Sequence, residues 1–429
     1  MKATIIIPIL LALLILLIGP YDDASAFHDG GVGPCDACHS MHHASPIANE
    51  SLLKSSDPSS TCLECHQQTG DTGPKSFHVS TAISDMPAGS PPKQLAPAGD
   101  FGWLKKSYTW VPNAAGALQA SYGDRHGHNV VAYDYQYYAD ATNSTAPEGT
   151  YPAANLSCIS CHDPHGKYRR DASGTISTTG SPIQGSGSRA SSANPLVGFS
   201  VGVYRLLGGR NYQPKYLSGN YAFLDDPPAA VAPDVYNRAE TRTQTRVAYG
   251  SGMSEWCENC HTTMHTIVSS GTSTNPKTHP VGGLAKLGST ISSNYNIYIK
   301  TGVLTGNAST SFLSLVPFEE GTSDYRTLQS HARTDDSYLV GPEASNSQVM
   351  CLTCHRAHAS GWDYATRWNT NSDYVVFNGY YSQDGQPYQP YGQGRTEMEA
   401  QMAYYGLQES RFARNQDTLC HKCHVGGLP

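Results

Sequence analysis

Cys158-Ile159-Ser160-Cys161-His162-Asp163-Pro164-His165 sets two thiols three residues apart, an imidazole directly after the second, and another imidazole three residues later. The pentad C-x-x-C-H occurs six times. The cysteines are Cys35/Cys38, Cys62/Cys65, Cys158/Cys161, Cys257/Cys260, Cys351/Cys354 and Cys420/Cys423, which use all 12 in the chain. The histidines that follow them are His39, His66, His162, His261, His355 and His424. One helical turn puts residues i and i+3 on the same side. Two such thiols reach the two vinyl groups along one edge of a porphyrin, and the next residue swings under the ring to give its imidazole nitrogen to iron. C-x-x-C-H is the attachment motif of c-type haem.

Other uses of paired cysteines fit less well. Structural zinc takes C-x-x-C pairs but does not require His after each. With 18 His in 429 residues, six chance repeats have odds on the order of one in 10⁸, so coincidence is set aside. A thioredoxin-type site is one pair on a βαβ unit. Disulfide frameworks belong to small domains with varied spacing. The sequence therefore implies six haem c groups, each with iron.

Twelve histidines remain for six sixth-ligand positions, a surplus that points to His/His ligation throughout. Met41, near the first motif, is read as packing. His421 lies inside its own C-x-x-C loop and cannot reach an axial position. His43 adjoins His42, and His126 is two residues from His128. In each of those pairs one residue is expected to bind iron, and the other to be solvated or bonded to a propionate. Nine distal candidates result: His28, His42, His78, His128, His165, His265, His279, His331 and His358. His42, His165 and His358 follow a proximal His by three residues and His265 by four. The porphyrin plane separates the two axial sites, so none of these can share an iron with its neighbour. As ligands they must serve different haems, which forces haems into contact. As non-ligands they are surface residues at helical spacing. Nine candidates for six sites leave some for supporting roles.

The rest of the chain fits a fold built around cofactors. Apolar residues are 38 % and charged residues 15 %, and Gly (41) with Pro (27) make up about one residue in six. That is too loop-rich for a large aliphatic core, yet 27 Tyr, 9 Phe and 5 Trp exclude a disordered chain. The expected fold is mostly irregular coil with short α-helices and a few short strands, packed around six covalent haems. Thr396-Glu397-Met398-Glu399 is a capping box, followed by an apolar face of Met398, Met402 and Tyr405 until Gly406 ends the helix. Further helices are expected over Asp324 to Arg333 and over Ser254 to His265. Pro87 to Gly102, Ser173 to Asn194 and Ser269 to Thr278 read as loops. Tyr374 to Gly394 reads as a packing cover, a subunit interface or a surface loop. The segments between motifs carry no repeat, so the chain is not a solenoid.

Met1 to Ala26 has the form of a secretory signal, with Lys2, an apolar run from Ile5 to Gly19 and an Ala24-Ser25-Ala26 cleavage site. The expected organisation is a cleaved peptide over 1–26 and one hexahaem domain over 27–429. Losing Lys2, Asp22 and Asp23 changes the formal charge from −7 to −6. No basic patch suits nucleic acid. The expected location is exported, at the cell surface or beyond it, by way of the periplasm.

Longer runs are more specific than the pentads. They are Phe27-His28-x-Gly30-Gly31, Cys161-His-Asp-Pro-His-Gly-Lys-Tyr-Arg-Arg170, Thr245-Arg-Val-Ala-Tyr-Gly250 before Met253-Ser-Glu-Trp-Cys257, Pro317-Phe-Glu-Glu-Gly-Thr322, Cys351-Leu-Thr-Cys-His-Arg-Ala-His-Ala-Ser-Gly361 and Ala403-Tyr-Tyr-Gly406. On these runs the mature chain resembles the extracellular hexahaem cytochromes of metal-reducing bacteria that polymerise into conductive filaments. The resemblance implies six bis-histidine haems in a continuous stack and a mostly irregular backbone. It also implies a homopolymer in which His42 binds the haem of His355 in the adjacent subunit. The sequence departs from the family in having His43, His126 and His421.

Three functions compete. Long-range electron transport needs haems in contact and no open iron. It implies redox partners in the periplasm and outer membrane and extracellular acceptors such as ferric oxides. A non-polymeric multihaem shuttle shares the haem chemistry and lacks the bridging ligand. A multihaem reductase, the enzymatic alternative, would keep one iron open, often with Lys in place of a motif His; all six motifs here end in His. The expectation is a chain that is not an enzyme.

Overall fold

The computed structural model describes residues 34–40, 52–70, 77–189, 192, 194–215, 217–233, 246–264, 279–297, 316–334, 338, 340–381 and 391–424. The signal-like segment and Met41, His42 and His43 lie outside them, as do His28, His265 and the loop Ser269 to Thr278. Among the described residues the backbone is mostly coil and turn. Its α-helices run from four to nine residues and its strands are two or three residues long. No helix among the described residues is long and apolar enough to cross a membrane.

The strands form small antiparallel sheets. β1 (Tyr108–Trp110) pairs with β2 (Gln119–Ser121). β3 (Arg169–Asp171) sits between β4 (Ile176–Ser177) and β5 (Ser200–Gly202). β6 (Ala230–Val231) pairs with β7 (Ala248–Tyr249) and β8 (Tyr374–Val376) with β9 (Gln416–Asp417). Part of the Ser173 to Asn194 loop thus joins a sheet. In the Tyr374 to Gly394 segment, Val375, Val376 and Tyr381 are buried in the largest apolar cluster, so its described part is a packing cover.

That cluster is built largely from aromatic residues and alanine, with Val316, Val375, Val376, Leu407 and Leu419 beside them. Trp103, Trp362, Trp368, Tyr381, Tyr404 and Phe412 surround Ala359, Ala400 and Ala403. Large rings supply the burial that a Leu-poor sequence lacks. Arg395, 1 % exposed, lies inside it. Its guanidinium is 4.3 Å from the Tyr108 ring centre and 4.5 Å from that of Trp362. Its donors go to the Gly361 and Gln393 carbonyls and to Ser121 Oγ. Burial pulls its pKa down to about 10.

Three attachment motifs carry both cysteines on an α-helix, Cys35–Cys38, Pro58–His66 and Cys351–Cys354, and the helix Met253–Cys257 ends on the first cysteine of a fourth. The other two lie on 3₁₀ turns, Cys158–Ser160 and Leu419–Lys422. Pro58–His66 starts well, with Pro at its first position and Asp57 accepting from Ser60 N at 2.8 Å.

The expected helices form with different limits. Thr396 caps Glu397–Ala403 through the capping box. Its buried face, however, is Glu399, Ala400 and Ala403, and Met398 is exposed. Glu399 turns inward because its carboxylate takes Thr396 N (3.0 Å) and Lys106 Nζ (2.7 Å), while the alanines let the aromatic rings approach. Tyr405 (φ 58°) and Gly406 (φ 69°) end it. Tyr325–His331 is capped by Asp324, and the chain then leaves to bridge Arg333 with Arg246. Ser254 to His265 is not one helix. It stops at Cys257 because residues 147–148 draw the chain off axis, through Thr263 N to Glu148 O (3.0 Å) and His261 Nδ1 to Pro147 O (2.8 Å).

Candidate haem-binding centre

Each motif imidazole whose hydrogen bond is defined is aimed by a main-chain carbonyl. Nδ1 lies 2.6 Å from Phe77 O in His66, 2.8 Å from Arg205 O in His162, 2.8 Å from Pro147 O in His261 and 2.7 Å from Tyr364 O in His355. A carbonyl can only accept, so Nδ1 carries the proton and Nε2 keeps its lone pair outward, the tautomer a metal needs.

Some of these carbonyls come from a recurring backbone device. Arg205 and Leu206 (φ 52° and 55°) and Tyr364 and Ala365 (φ 60° and 54°) are left-handed pairs without glycine. Each pair faces a motif: Asp163 N bonds Leu206 O and Gly208 N bonds Cys161 O, as Arg356 N bonds Ala365 O and Arg367 N bonds Cys354 O. At the first motif Leu52 (φ 49°) repeats it, with Ser40 N on Leu52 O and Lys54 N on Cys38 O. Left-handed non-glycine residues cost about 1–2 kcal/mol each. Here the strain is held where it aims a histidine.

The distal candidates come from other segments. His39 faces His165 with ring centres 6.4 Å apart and 17° between planes. His162 faces His358 at 6.4 Å, His261 faces His128 at 6.1 Å, and His424 faces His279 at 5.9 Å. Two imidazoles bound at about 2 Å on opposite sides of one metal ion have ring centres roughly 6 Å apart. His128 and His279 also tie Nδ1 to carbonyls, Ala357 O and Pro280 O, each at 2.7 Å. Burial and then the facing imidazole push His128 down to about 4 and His358 to about 3. Both are neutral bases at neutral pH, as ligation requires.

Close backbone packing places His128 and His358 together. Gly99 and Gly127 clamp the strip at His358–Ala359. A Cβ on Gly99 would stand 1.7 Å from Ala359 O, and one on Gly127 2.2 Å from His358 O. His358 N then bonds Ala98 O and His128 N bonds His358 O. Phe101 stacks on His358 at 4.6 Å.

The remaining candidates sit elsewhere. His78 is fully buried, with Nε2 3.0 Å from Thr81 Oγ1 and 3.3 Å from Asp100 Oδ2. His331 stacks on Tyr338 at 4.2 Å and bonds Glu320. His126, expected to be solvated or on a propionate if it is not a ligand, is instead fully buried. Its Nδ1 bonds Trp103 O (2.9 Å) and its Nε2 meets Ser121 Oγ (2.7 Å) beside Asp363 and Arg395. Both nitrogens are spent on the core. His421 lies in the Leu419–Lys422 turn, 3.5 Å from Asp417. His355 faces no second imidazole among the described residues.

The thiols make an ordered series. Cys62 hydrogen-bonds Cys158, and Cys257 hydrogen-bonds Cys351, first cysteine to first cysteine. Between these contacts the second cysteines are near enough to feel one another's charge, Cys38 with Cys65, Cys161 with Cys260, and Cys354 with Cys420 and Cys423. The second and third motifs, and the fourth and fifth, are thus in direct contact. All twelve thiols are free of disulfides. Among the described residues no three His, Cys, Asp or Glu side chains converge as a bare metal site would require. A porphyrin supplies four of an iron's six donors, so paired imidazoles beside paired thiols fit haem c.

No family model matches the chain. It is 53 % identical over 418 residues, covering 94 % of both chains, to the C-type cytochrome OmcS of Geobacter sulfurreducens. Among solved structures it resembles the OmcS nanowires of that organism determined by cryo-EM (TM-score 0.85, 51 % identity, 94 % of this chain and 100 % of that one). It also resembles the Outer Membrane Cytochrome S filament from the same organism (TM-score 0.83, 50 % identity, again 94 % and 100 %). The attachment motifs, the facing imidazoles and the identity along nearly the whole length place this chain in the OmcS family of c-type cytochromes.

Proposed function

We propose that this protein carries electrons over long distances outside the cell, as a subunit of a cytochrome filament holding six haems per chain. The observation that carries this reading is the set of four facing imidazole pairs, His39/His165, His162/His358, His261/His128 and His424/His279. Filament assembly is drawn from the OmcS relatives, which are filaments.

In this reading the twelve motif cysteines hold the six groups and the six motif histidines are proximal ligands. His165, His358, His128 and His279 are distal ligands to the irons of His39, His162, His261 and His424. The sixth ligands at His66 and His355 are drawn from His28, His42 and His265, with His42 reaching the His355 site of a neighbouring subunit. His78, His126, His331 and His421 support the fold. When bound, haem c supplies one-electron chemistry, at low potential where both axial ligands are imidazoles. Carbonyl-bound Nδ1 groups keep the imidazoles oriented, and saturated irons leave no place for substrate, so the protein is a conductor and not an enzyme. Residues 1–26 are assigned to export and 27–429 to one domain. Donors in the periplasm and outer membrane and acceptors such as ferric oxides complete the path.

Intact-mass measurement with low-temperature EPR on the purified protein tests the ligation. Six haem additions and only low-spin ferric signals are expected. Fewer additions, or a high-spin signal from an open iron, would overturn it.

A further inference from the structure

A buried carboxyl lies behind the junction of the fourth and fifth motifs. Glu319 is 0 % exposed. Its Oε1 accepts from Met253 N (2.9 Å) and Ser254 N (3.3 Å), at the start of the helix that carries Cys257. Its Oε2 accepts from Gly252 N (3.4 Å) and from the Gln348 amide. Its main chain exchanges both hydrogen bonds with Gln348, each 3.0 Å, just before Cys351. Ser254 Oγ accepts Cys351 N at 3.1 Å, and Thr353 Oγ1 donates to Pro317 O at 2.6 Å. One carboxyl therefore ties together the two segments whose cysteines, Cys257 and Cys351, touch.

Its surroundings suit a group that changes charge. Glu255, on the helix, bonds Gly283 N and adds repulsion. Gln348, from the facing segment, is neutral. Tyr249, from β7, offers its carbonyl to Glu320 N. Glu320 is the next residue and takes up the nearby Arg246, at 3.0 Å, and His331. Burial first, then Glu255, pushes the Glu319 carboxyl up to about 7, against the hydrogen bonds it accepts.

The geometry points to Glu319 as a proton-coupling residue of the fourth and fifth haems, binding one solvent proton when an electron arrives at a neighbouring iron and releasing it when the electron leaves. This rests on the proposed reading that both motifs hold haem. The exchange balances. Iron goes from ferric to ferrous with one electron from a reduced haem-bearing donor, and the carboxylate takes one proton to become the neutral acid. No other bond changes. An arriving negative charge in a poorly screened interior favours the neutral acid. Potential and pH are therefore linked: the midpoint falls as pH rises through neutrality. Tenfold tighter proton binding on reduction corresponds to about 59 mV.

The test is spectroelectrochemical titration of the intact holoprotein from about pH 5 to about pH 9, wild type against Glu319→Gln. The wild type should contain a pH-dependent component that the variant loses, with the low-spin spectrum unchanged. A variant that titrates like the wild type overturns the proposal. Reduced-minus-oxidised infrared spectra of the wild type give a second readout that needs no variant. A carbonyl band of a protonated carboxylic acid should grow on reduction, and its absence overturns the proposal. Failure of the haem reading would look different, as missing haem mass or a high-spin signal in the wild type.

Discussion

His165 follows His162 by three residues, yet its ring faces His39, 6.4 Å away and within 17° of parallel. His162 instead faces His358, which follows His355 by three residues. The step from His162 to His165 thus crosses from the third candidate iron to the first, and the step from His355 to His358 from the fifth to the third. Two adjacent histidines brace two different centres, and the covalent spacing between them keeps those centres close. Conduction in the proposed account depends on this arrangement.

Removing a distal imidazole should open one iron only. His165→Ala is expected to give a single high-spin haem, that of His39, with five low-spin signals retained, read by EPR and resonance Raman. His126→Ala, two residues from a ligand but bonded only to the core, should leave every iron low-spin while lowering the melting temperature. An unchanged spectrum for His165→Ala would remove it from the ligand set.

Arg395 is buried between Tyr108 and Trp362, close to Asp363 and His126. Taking one member from a buried charged network costs about 3–5 kcal/mol. Arg395→Ala should destabilise the holoprotein by that order in denaturant unfolding, without shifting the haem absorption of the folded state.

The left-handed turn at Tyr364 offers a stabilising change. Its side chain is exposed while its backbone sits at φ 60°. Tyr364→Gly should relieve about 1 kcal/mol of strain, seen as a higher denaturant midpoint, with the carbonyl still on His355.

Asp100 sets a limit on acid stability. Burial opposes its ionisation, but His78, Thr81 and Gly102 N outweigh that and hold the carboxyl below its usual range. Its folded-state pKa lies under the unfolded value of about 3.9. Its stabilisation is therefore complete above that value and is lost as pH falls through the folded pKa. Asp100→Asn should be less stable than wild type near neutral pH, with the gap closing in acid.

Much of this centre was legible in the sequence because covalent chemistry fixes spacing. C-x-x-C-H marks the proposed attachment points, and the rings of His165 and His358 lie beside the imidazoles of other motifs, His39 and His162. The coil-rich fold followed from too little Leu and Ile for the chain length. Other features were hidden. His126 and His128 look equivalent two residues apart, and only tertiary packing sends one to Ser121 and the other toward His261. The turns at Leu52, Arg205–Leu206 and Tyr364–Ala365 share backbone angles but no residue type, so no repeat shows in the letters. Met398 reads as the apolar face, but a buried salt bridge from Glu399 to Lys106 rotates the helix the other way. Glu319 had no signal beyond the run Pro317 to Thr322, since a buried carboxylate is recognised only by what surrounds it.

Subunit bridging is assigned to residues outside those described. Replacing His42 and His43 with Ala should abolish filaments and leave folded, haem-loaded subunits. Intact filaments from that variant would remove His42 from the bridge.

The most direct measurement is electron microscopy of material sheared from the surface of cells that make this protein. The account predicts thin filaments whose repeating unit is one subunit carrying six haems. Dispersed particles the size of a single subunit would contradict it and leave a soluble electron shuttle.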